Sequence, residues 1–238
     1  MAYIKKIVCL ANSRKHGGFC FAEKEVLAEG TFGEWIRPVN AQNEDAISSE
    51  DMVLADGLCP QLLDVISIPL LEPMPKQHQK ENHQIDVSQS WTKQSVLGKQ
   101  ELPKLLDSGF DTLWLNDPQF AKNDRIRTAK AHNLLGSLLL IQPESLNIIV
   151  QWKQPYTGGP PEVVADFRYN QCNYQLCVTD PLAEQKYRKM SMAEKKLGKE
   201  LPRIYPAAAD KICLCVSLGE EYHGFYYKLV AAIIGDPD

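Results

Sequence analysis

The chain has 238 residues, of which 44% are hydrophobic, 24% charged and 8% aromatic. These proportions are typical of globular proteins and exclude collagen-like, mucin-like and fully disordered chains. The formal net charge is −4 at pH 7. A protein that coats duplex DNA through bulk charge is normally basic, so that mode of binding is disfavoured, although a local basic groove stays compatible with the total charge.

The apolar runs and the cysteines predict a cytoplasmic protein that does not enter a membrane. The longest apolar runs, Leu138–Ile141 and Leu229–Ile234, are far shorter than the roughly 18 residues of a spanning helix. The N-terminal stretch turns polar again at Asn12, which leaves too short an apolar segment for a signal peptide. The seven cysteines are an odd number, and most of them lie in or beside apolar runs, as buried thiols do in a reducing compartment.

Short strand patterns dominate the first third of the chain. A polar loop, Asn12–Gly18, separates the first strand from a returning run, and a polar segment with two prolines, Glu72–Gln84, has the composition of an exposed connector. The strand candidates are Ile4–Leu10, Phe19–Ala22, Gly33–Val39 and Leu62–Ile68. This spacing, with no long helical pattern, indicates a small β-barrel or β-sandwich.

After a mixed middle stretch, the second half contains strand patterns around one helix. Thr179 and Asp180 before Pro181 predict a helix start, and the helix is expected to end near Leu197. Residues 137–142 and 147–153 have the spacing of a hairpin. The remaining strand candidates are Val163–Tyr169, Tyr174–Val178, Lys211–Leu218 and Gly224–Ile234. A five-stranded Greek-key barrel, the OB-fold, accommodates this order, and a generic β-sandwich stays open.

Several segments, in order along the chain, carry a resemblance to a known family. They are Ile7–Lys15 with Gly17 and Gly18, Gly33–Val39, Ser137–Ile141 with Pro143 and Glu144, Cys213–Gly219, and Tyr227–Ile233. Together they resemble the bacterial dual OB-containing domain family. The resemblance implies two OB-like barrels and recognition of nucleic acid within bacterial conflict systems, which act against phage and plasmids. OB-folds also serve as protein-docking modules.

The fold prediction is a mainly β protein (β-rich α+β) of two OB-like small β-barrels with a few short helices. The first barrel is expected in residues 1–100 and a helical or loop connector in residues 101–133. The second barrel, with one inserted helix, is expected in residues 134–238.

The loop after the first strand is the first candidate site for nucleic acid or another anion. Its donors, two fixed positive charges and two glycines can direct N–H groups and cations at one phosphate. The candidate residues are Asn12, Ser13, Arg14, Lys15, His16, Gly17 and Gly18. The alternative is an ordinary solvated turn, since the segment lacks the ending of a phosphate-binding P-loop.

Two aromatic and cationic pairs extend the candidate interface. Trp35 and Arg37 share one strand face by the two-residue period and would form a stacking platform for an unpaired base. If Trp35 is instead a core residue, Arg37 also points inward and needs a buried partner. Tyr227 and Lys228 combine a ring and a cation near the C-terminal strand. Alternation places Tyr227 and Lys228 on opposite faces, and the sequence leaves open which face is exposed.

A basic segment near the predicted helix is a secondary candidate surface. The segment carries a local excess of positive charge, whereas Cys20–Asp64 is strongly acidic. Such a helix can follow a nucleic-acid backbone or bind an acidic partner, and a solvated amphipathic face is the alternative. The residues are Lys186, Arg188, Lys189, Lys195, Lys196 and Lys199.

No catalytic or metal-binding motif stands out, so we expect a non-enzymatic protein without cofactor or metal. The sequence lacks the nucleophile elbow, the zinc-protease motif and the dinucleotide fingerprint. The leading hypothesis is a recognition protein for single-stranded or structured nucleic acid, or a nucleotide-like anion, acting as sensor or adaptor in bacterial defence. The alternative is a protein-docking module of a larger complex that does not contact nucleic acid, and an enzyme acting on a nucleotide is the third hypothesis.

Overall fold

The computed structural model describes residues 2–15, 17–131, 133–153, 159–196 and 200–235. The chain divides into two compact units. The first unit comprises Met1–Leu106 and His132–Leu138, and the second comprises Asp107–Ala131 and Leu139–Asp238. Most of the segment expected as a connector, residues 107–131, therefore belongs to the second unit. None of the described helices is long and apolar enough to cross a membrane.

The first unit is a closed barrel of five strands with a sixth strand at one edge. The strands are β1 (Tyr3–Lys15), β2 (Gly18–Val26), β3 (Phe32–Val39), β4 (Asp64–Pro73), β5 (Asn82–Ile85) and β6 (Thr92–Val96). The order β1-β2-β3-β5-β4 closes because β1 also pairs with β4, and β6 pairs with β4. β3 and β5 run parallel. The core contains β-branched and aromatic side chains, among them Ile7, Phe21, Ile66 and Trp91.

Two expectations for the first unit are wrong in detail. Asn12–Gly18 is not a loop, because β1 continues to Lys15 and pairs there with Gly18. Gly17, in the connecting turn, has a φ of 81°, a conformation that favours glycine. The segment Glu72–Gln84 is not an exposed connector either: β5 begins inside it, and His78, Gln79 and Glu81 are buried. The buried Glu81 carboxylate has polar partners, which are described below.

The second unit repeats the strand order of the first around a larger sheet. Its strands are β7 (Arg125–Arg127), β8 (Leu138–Ile141), β9 (Ser145–Gln151), β10 (Glu162–Tyr169), β11 (Cys172–Val178), β12 (Arg203–Ala207), β13 (Cys213–Tyr222) and β14 (Phe225–Ile234). The order is β12-β9-β10-β11-β14-β13-β8, with β7 on β14. Within it, β9-β10-β11-β14-β13 matches β1-β2-β3-β5-β4, and β11 and β14 are parallel as β3 and β5 are. The prediction of a mainly β protein with OB-like barrels is confirmed.

The hairpin expected between residues 137–142 and 147–153 does not form. β8 pairs with β13, whereas β9 pairs with β10 and β12. In the first unit, one half of β1 pairs with β4 and the other half with β2. β8 and β9 thus occupy the positions of the two halves of one long first strand. Pro143 lies between them and cannot donate to a strand ladder.

The predicted helix is confirmed as α1 (Pro181–Lys196). The Asp180 carboxylate caps it, since Oδ1 accepts hydrogen bonds from the backbone N–H groups of Leu182 at 3.0 Å and Ala183 at 3.2 Å. Its Oδ2 accepts from the backbone N–H of Ile233 at 3.2 Å. One buried carboxylate therefore joins the helix start to the last strand. Five short 3-10 turns complete the described helical segments, namely Ala28–Gly30, Ala41–Asn43, Lys99–Leu105, Thr128–Lys130 and Ala209–Lys211.

We expect Asp180→Ala to lower the free energy of unfolding by about 1–3 kcal/mol, because it leaves the cap amides and the Ile233 amide without an acceptor. Asp180→Asn retains one oxygen for the cap but turns an NH2 group toward the Ile233 amide, so it should lose less than Asp180→Ala while still falling below the unmodified protein. Urea denaturation followed by circular dichroism compares the three proteins. Equal stability of Asp180→Ala and the unmodified protein would contradict the capping role.

Candidate functional site

The residues of the predicted anion loop lie along two paired strands. Arg14 is exposed and pairs with Phe19, and Lys15 is half-buried at the end of β1. Adjacent strand residues point to opposite faces, so these two cations do not share one. Ser13 is buried, and its Oγ donates to the carbonyl oxygen of Cys20 at 3.3 Å. Asn12 is half-buried, Gly17 is exposed and Gly18 starts β2, while His16 lies outside the described residues.

Trp35 and Arg37 occupy the outer face of the first barrel in different environments. The Lys24 Nζ lies 4.9 Å from the centroid of the half-buried Trp35 ring and donates to the Leu105 carbonyl oxygen at 2.7 Å. Arg37 is 2% exposed, and its Nη2 is 3.4 Å from Oε1 of Glu81. The expectation that Arg37 presents its guanidinium to a ligand beside Trp35 is therefore corrected, because an internal ion pair holds it.

A cavity of about 410 Å³ lies next to Trp35 in the first unit. Glu34 and Trp35 of β3, Lys80 and Glu81 before β5, and residues 135–138 line it. Glu81 and Ser137 are buried, whereas Glu34 and Lys80 are exposed. The cavity thus combines an aromatic wall, a buried carboxylate and charged groups that reach solvent.

The burial of its side chains shows which face of β14 is exposed, a question that the sequence left open. Tyr226 and Lys228 point inward, and Phe225 and Tyr227 lie on the more exposed face. The Lys228 Nζ donates to the Leu115 carbonyl oxygen at 2.9 Å and to Oδ1 of Asn116 at 2.8 Å. Burial lowers the pKa of Lys228 to about 7. The expectation that Lys228 faces a ligand together with Tyr227 is therefore corrected.

Arginine and aromatic side chains gather on the outer side of β14. We call this set the arginine–aromatic surface; its members are Phe120, Arg125, Arg127, Tyr222, Phe225 and Tyr227. The Arg125 guanidinium carbon lies 5.2, 5.8 and 4.9 Å from the ring centroids of Phe120, Phe225 and Tyr227. The Arg127 guanidinium lies 5.2 Å from Phe120 and 5.7 Å from Phe225. Such spacing is typical of cation–π contacts.

Acidic neighbours hold the two guanidinium groups in place. Arg125 donates from Nη2 to Asp124 at 2.8 Å and from Nη1 to the Tyr227 hydroxyl at 3.3 Å. Arg127 donates from Nε to Asp117 at 3.3 Å, and Lys130 donates to the same carboxylate at 3.1 Å. Hydrogen bonds from Gln119 and Lys130 lower the pKa of Asp117. Residues 117–130 contain four basic and two acidic side chains, a net charge of +2.

Comparison with family models gives one match that covers nearly the whole chain. The model of the dual OB-containing domain matches residues 5–233. The chain belongs to the dual OB-containing domain family. Comparison with curated proteins and with solved structures found no match. The family predicted from the sequence is thereby confirmed, and OB domains in general bind nucleic acids, oligosaccharides or proteins.

In this dual OB-containing domain, some residues of the Trp35 cavity and Tyr222 of the arginine–aromatic surface lie at positions where OB-folds bind ligands. OB-folds use the face of strands two and three and the loops that follow strands one and four. In the first unit, Trp35 lies on the third strand, and Lys80 and Glu81 lie in the loop after the fourth. In the second unit, the turn after the fourth strand lies at His223 and Gly224, both with positive φ. Tyr222, directly before this turn, is 63% exposed.

The basic helix is only partly described. Lys189 and Lys195 are exposed, whereas the Lys186 Nζ lies 5.6 Å from the Tyr187 ring centroid. Arg188 donates from Nε to the Pro161 carbonyl oxygen at 2.8 Å and pairs with Glu184. The Lys196 side chain and Lys199 lie outside the described residues. Among the residues that are described, no group of three acidic, histidine or cysteine side chains is arranged to hold a metal ion.

Sequence reasoning missed Phe120, Arg125 and Arg127 as members of a candidate site. The alternation Arg125-Ile126-Arg127 was a usable signal, because it puts two cations on one face and the buried Ile126 on the other. Their rings and cations meet only because β7 pairs with Phe225–Tyr227 of β14. That pairing joins segments far apart in the chain.

Proposed function

We propose that the chain recognises unpaired nucleic acid through the arginine–aromatic surface of the second unit. The exposed Tyr222 ring beside the turn after the fourth OB strand carries the proposal, since that turn is a ligand-binding position in OB-folds. Tyr222 lies 6.3 Å from Tyr227, ring centroid to ring centroid. Flat rings stack on unpaired bases of any sequence, and neighbouring guanidinium groups contact phosphates or stack in turn.

The charge balance supports stacking as the main source of affinity. The whole chain carries −4 and residues 117–130 carry +2, so attraction of a polyanion is local. For two phosphate contacts on a single strand, we expect a plot of log affinity against log salt to have a slope of about −1.4. A duplex hides its bases inside the stack and should bind more weakly.

Replacing Tyr222 tests the proposal directly. We expect Tyr222→Ala to weaken binding of a labelled single strand of about 12 nucleotides by roughly tenfold or more, the loss of one base–ring stack. Tyr222→Phe keeps the ring and should bind almost as the unmodified protein does. Fluorescence anisotropy at two salt concentrations measures the affinities.

The matched control is Ile204→Ala, because Ile204 is 60% exposed and also lies in the second unit. It should leave affinity unchanged. Equal effects of Tyr222→Ala and Ile204→Ala, or no binding of the single strand at micromolar protein, would overturn the proposal. The second outcome favours the alternative function, a protein-docking module without nucleic-acid contact.

The proposal also concerns the biological process in which the chain acts. We infer a non-enzymatic sensor or adaptor in a bacterial defence system against phage or plasmids, as the resemblance to the family implies. The cytoplasmic location expected from cysteine usage stays a prediction. Arg14 and Lys15, together with Lys189 and Lys195, are proposed as secondary phosphate contacts.

A further inference from the structure

The cavity beside Trp35 in the first unit has a polar wall whose groups are held by hydrogen bonds and an ion pair. Glu81 Oε1 accepts hydrogen bonds from the backbone N–H of Ser137 at 3.3 Å and from the Ser137 hydroxyl. The Arg37 guanidinium, 3.4 Å away, completes its partners. Because Ser137 is 0% and Arg37 2% exposed, these contacts hold the carboxylate in one orientation.

The second carboxylate oxygen of Glu81, Oε2, lies beside Gly136 of the cavity lining. The two hydrogen bonds from Ser137 and the ion pair with Arg37 are made to Oε1. A Cβ placed on Gly136 would lie 3.7 Å from Oε2. Gly136 therefore keeps the space beside Oε2 free of a side chain, and it also lines the cavity.

The lining favours a neutral ring that donates hydrogen bonds over a phosphate. The charged side chains of the lining are Glu34, Glu81 and Lys80, two negative and one positive. An ionised carboxylate only accepts hydrogen bonds, so a ligand group at Oε2 must be a donor. The Trp35 wall provides a surface for a flat ring.

We propose that this cavity binds one nucleobase that carries an amino group, and that Glu81 selects it through Oε2. Cytosine, adenine and guanine each present an exocyclic amine, and carboxylates accept from such amines. In thymine and uracil, carbonyl oxygens flank the ring N–H on both sides. A carboxylate repels these oxygens. The proposal goes beyond the proposed function, because it places a separate site in the first unit, and the base can belong to a bound strand or to a free nucleoside.

Homopolymer and nucleoside titrations test the selectivity. We expect oligo(dC) to bind about tenfold more tightly than oligo(dT) of equal length, as one base discrimination of this kind commonly gives. By isothermal titration calorimetry, cytidine should bind and uridine should not. Glu81→Gln places an amide at the site and should abolish the preference for cytosine.

Gly136→Ala is the variant that leaves the Arg37–Glu81 pair in place. The added methyl group makes ordinary van der Waals contact at 3.7 Å and fills the space beside Oε2, so we expect it to reduce the preference for oligo(dC) severalfold. Glu101→Gln is the control for Glu81→Gln, because Glu101 lies in the same unit and pairs with the exposed Lys104.

The outcomes separate this proposal from the proposed function. Equal binding of oligo(dC) and oligo(dT), together with equal binding of cytidine and uridine, would overturn the proposal, as would an unchanged preference in Gly136→Ala. Cytidine binding without any strand binding would support the cavity and overturn the proposed function. Strand binding that depends on Tyr222 but ignores the base would do the reverse.

Discussion

Replacing Arg37 with alanine is expected to lower the free energy of unfolding of the first unit by about 3–5 kcal/mol, the usual cost of breaking a buried ion pair. The side chains of Arg37 and Glu81 are 2% and 5% exposed, with Nη2 and Oε1 3.4 Å apart. Removing the guanidinium leaves the Glu81 carboxylate in the interior with Ser137 as its partner. The Glu81 side chain is only 5% exposed, so water reaches little of it, and a mostly buried charge without its counter-ion is the costly state.

Hydrogen exchange read by mass spectrometry measures this loss separately for each unit. Amides of β1, β2 and β4 should lose protection in Arg37→Ala, while those of β9 and β10 serve as an internal reference. Lys104→Ala is the matched control, because its pair with Glu101 is formed by a lysine that is 64% exposed. Exposed pairs contribute about 0–1 kcal/mol, so this variant should exchange almost as the unmodified protein does.

A double variant distinguishes a buried charge from simple loss of packing. Arg37→Met with Glu81→Met removes both charges and keeps much of the volume, and such replacements are often neutral or stabilising. We expect it to be more stable than Arg37→Ala. Protection of Arg37→Ala within the range of the Lys104→Ala control would show that the pair is solvated, contrary to its burial.

Periodicity predicted most strands and the helix because these depend on local sequence. The predicted strand Gly33–Val39 corresponds to β3, and the predicted cap residues before Pro181 precede the start of α1. β5 was missed because its four residues, Asn82–Ile85, are mostly polar. Its strand character comes from pairing with β3 and β4, which local sequence does not encode.

Which face of a strand is buried depends on distant residues. Alternation correctly placed Tyr227 and Lys228 on opposite faces. Each face of this strand also carries an aromatic neighbour, Phe225 or Tyr226, so the pattern could not assign the core face. From the sequence alone, Arg37 is interpreted as a surface cation, because its partner Glu81 is far from it along the chain. Buried charges are rare, and sequence reasoning therefore assigns such residues to ligand sites by default.

The stability of the second unit is expected to rise with pH above about pH 7 because of Lys228. Its pKa falls from 10.5 to about 7 through burial. Its partners, the Leu115 carbonyl and the Asn116 amide oxygen, are neutral, so they offset only part of the lost hydration of an ammonium group. Below the folded pKa both states carry the proton and the cost is present in full. Between the folded and unfolded pKa values the unfolded state binds more protons, so raising the pH stabilises the fold by up to about 1.4 kcal/mol per pH unit.

Lys228→Met isolates this contribution, because methionine retains an apolar stem without a titrating group. The difference in free energy of unfolding between the unmodified protein and Lys228→Met should stay level below about pH 7 and grow by about 2 kcal/mol in favour of the unmodified protein by about pH 9. Lys189→Met controls for the loss of one exposed positive charge. Urea denaturation across this pH range measures all three. A difference that does not change with pH would mean that Lys228 keeps its proton inside the fold, and that its two oxygen partners and the Tyr174 ring, 5.3 Å from Nζ, replace its hydration completely.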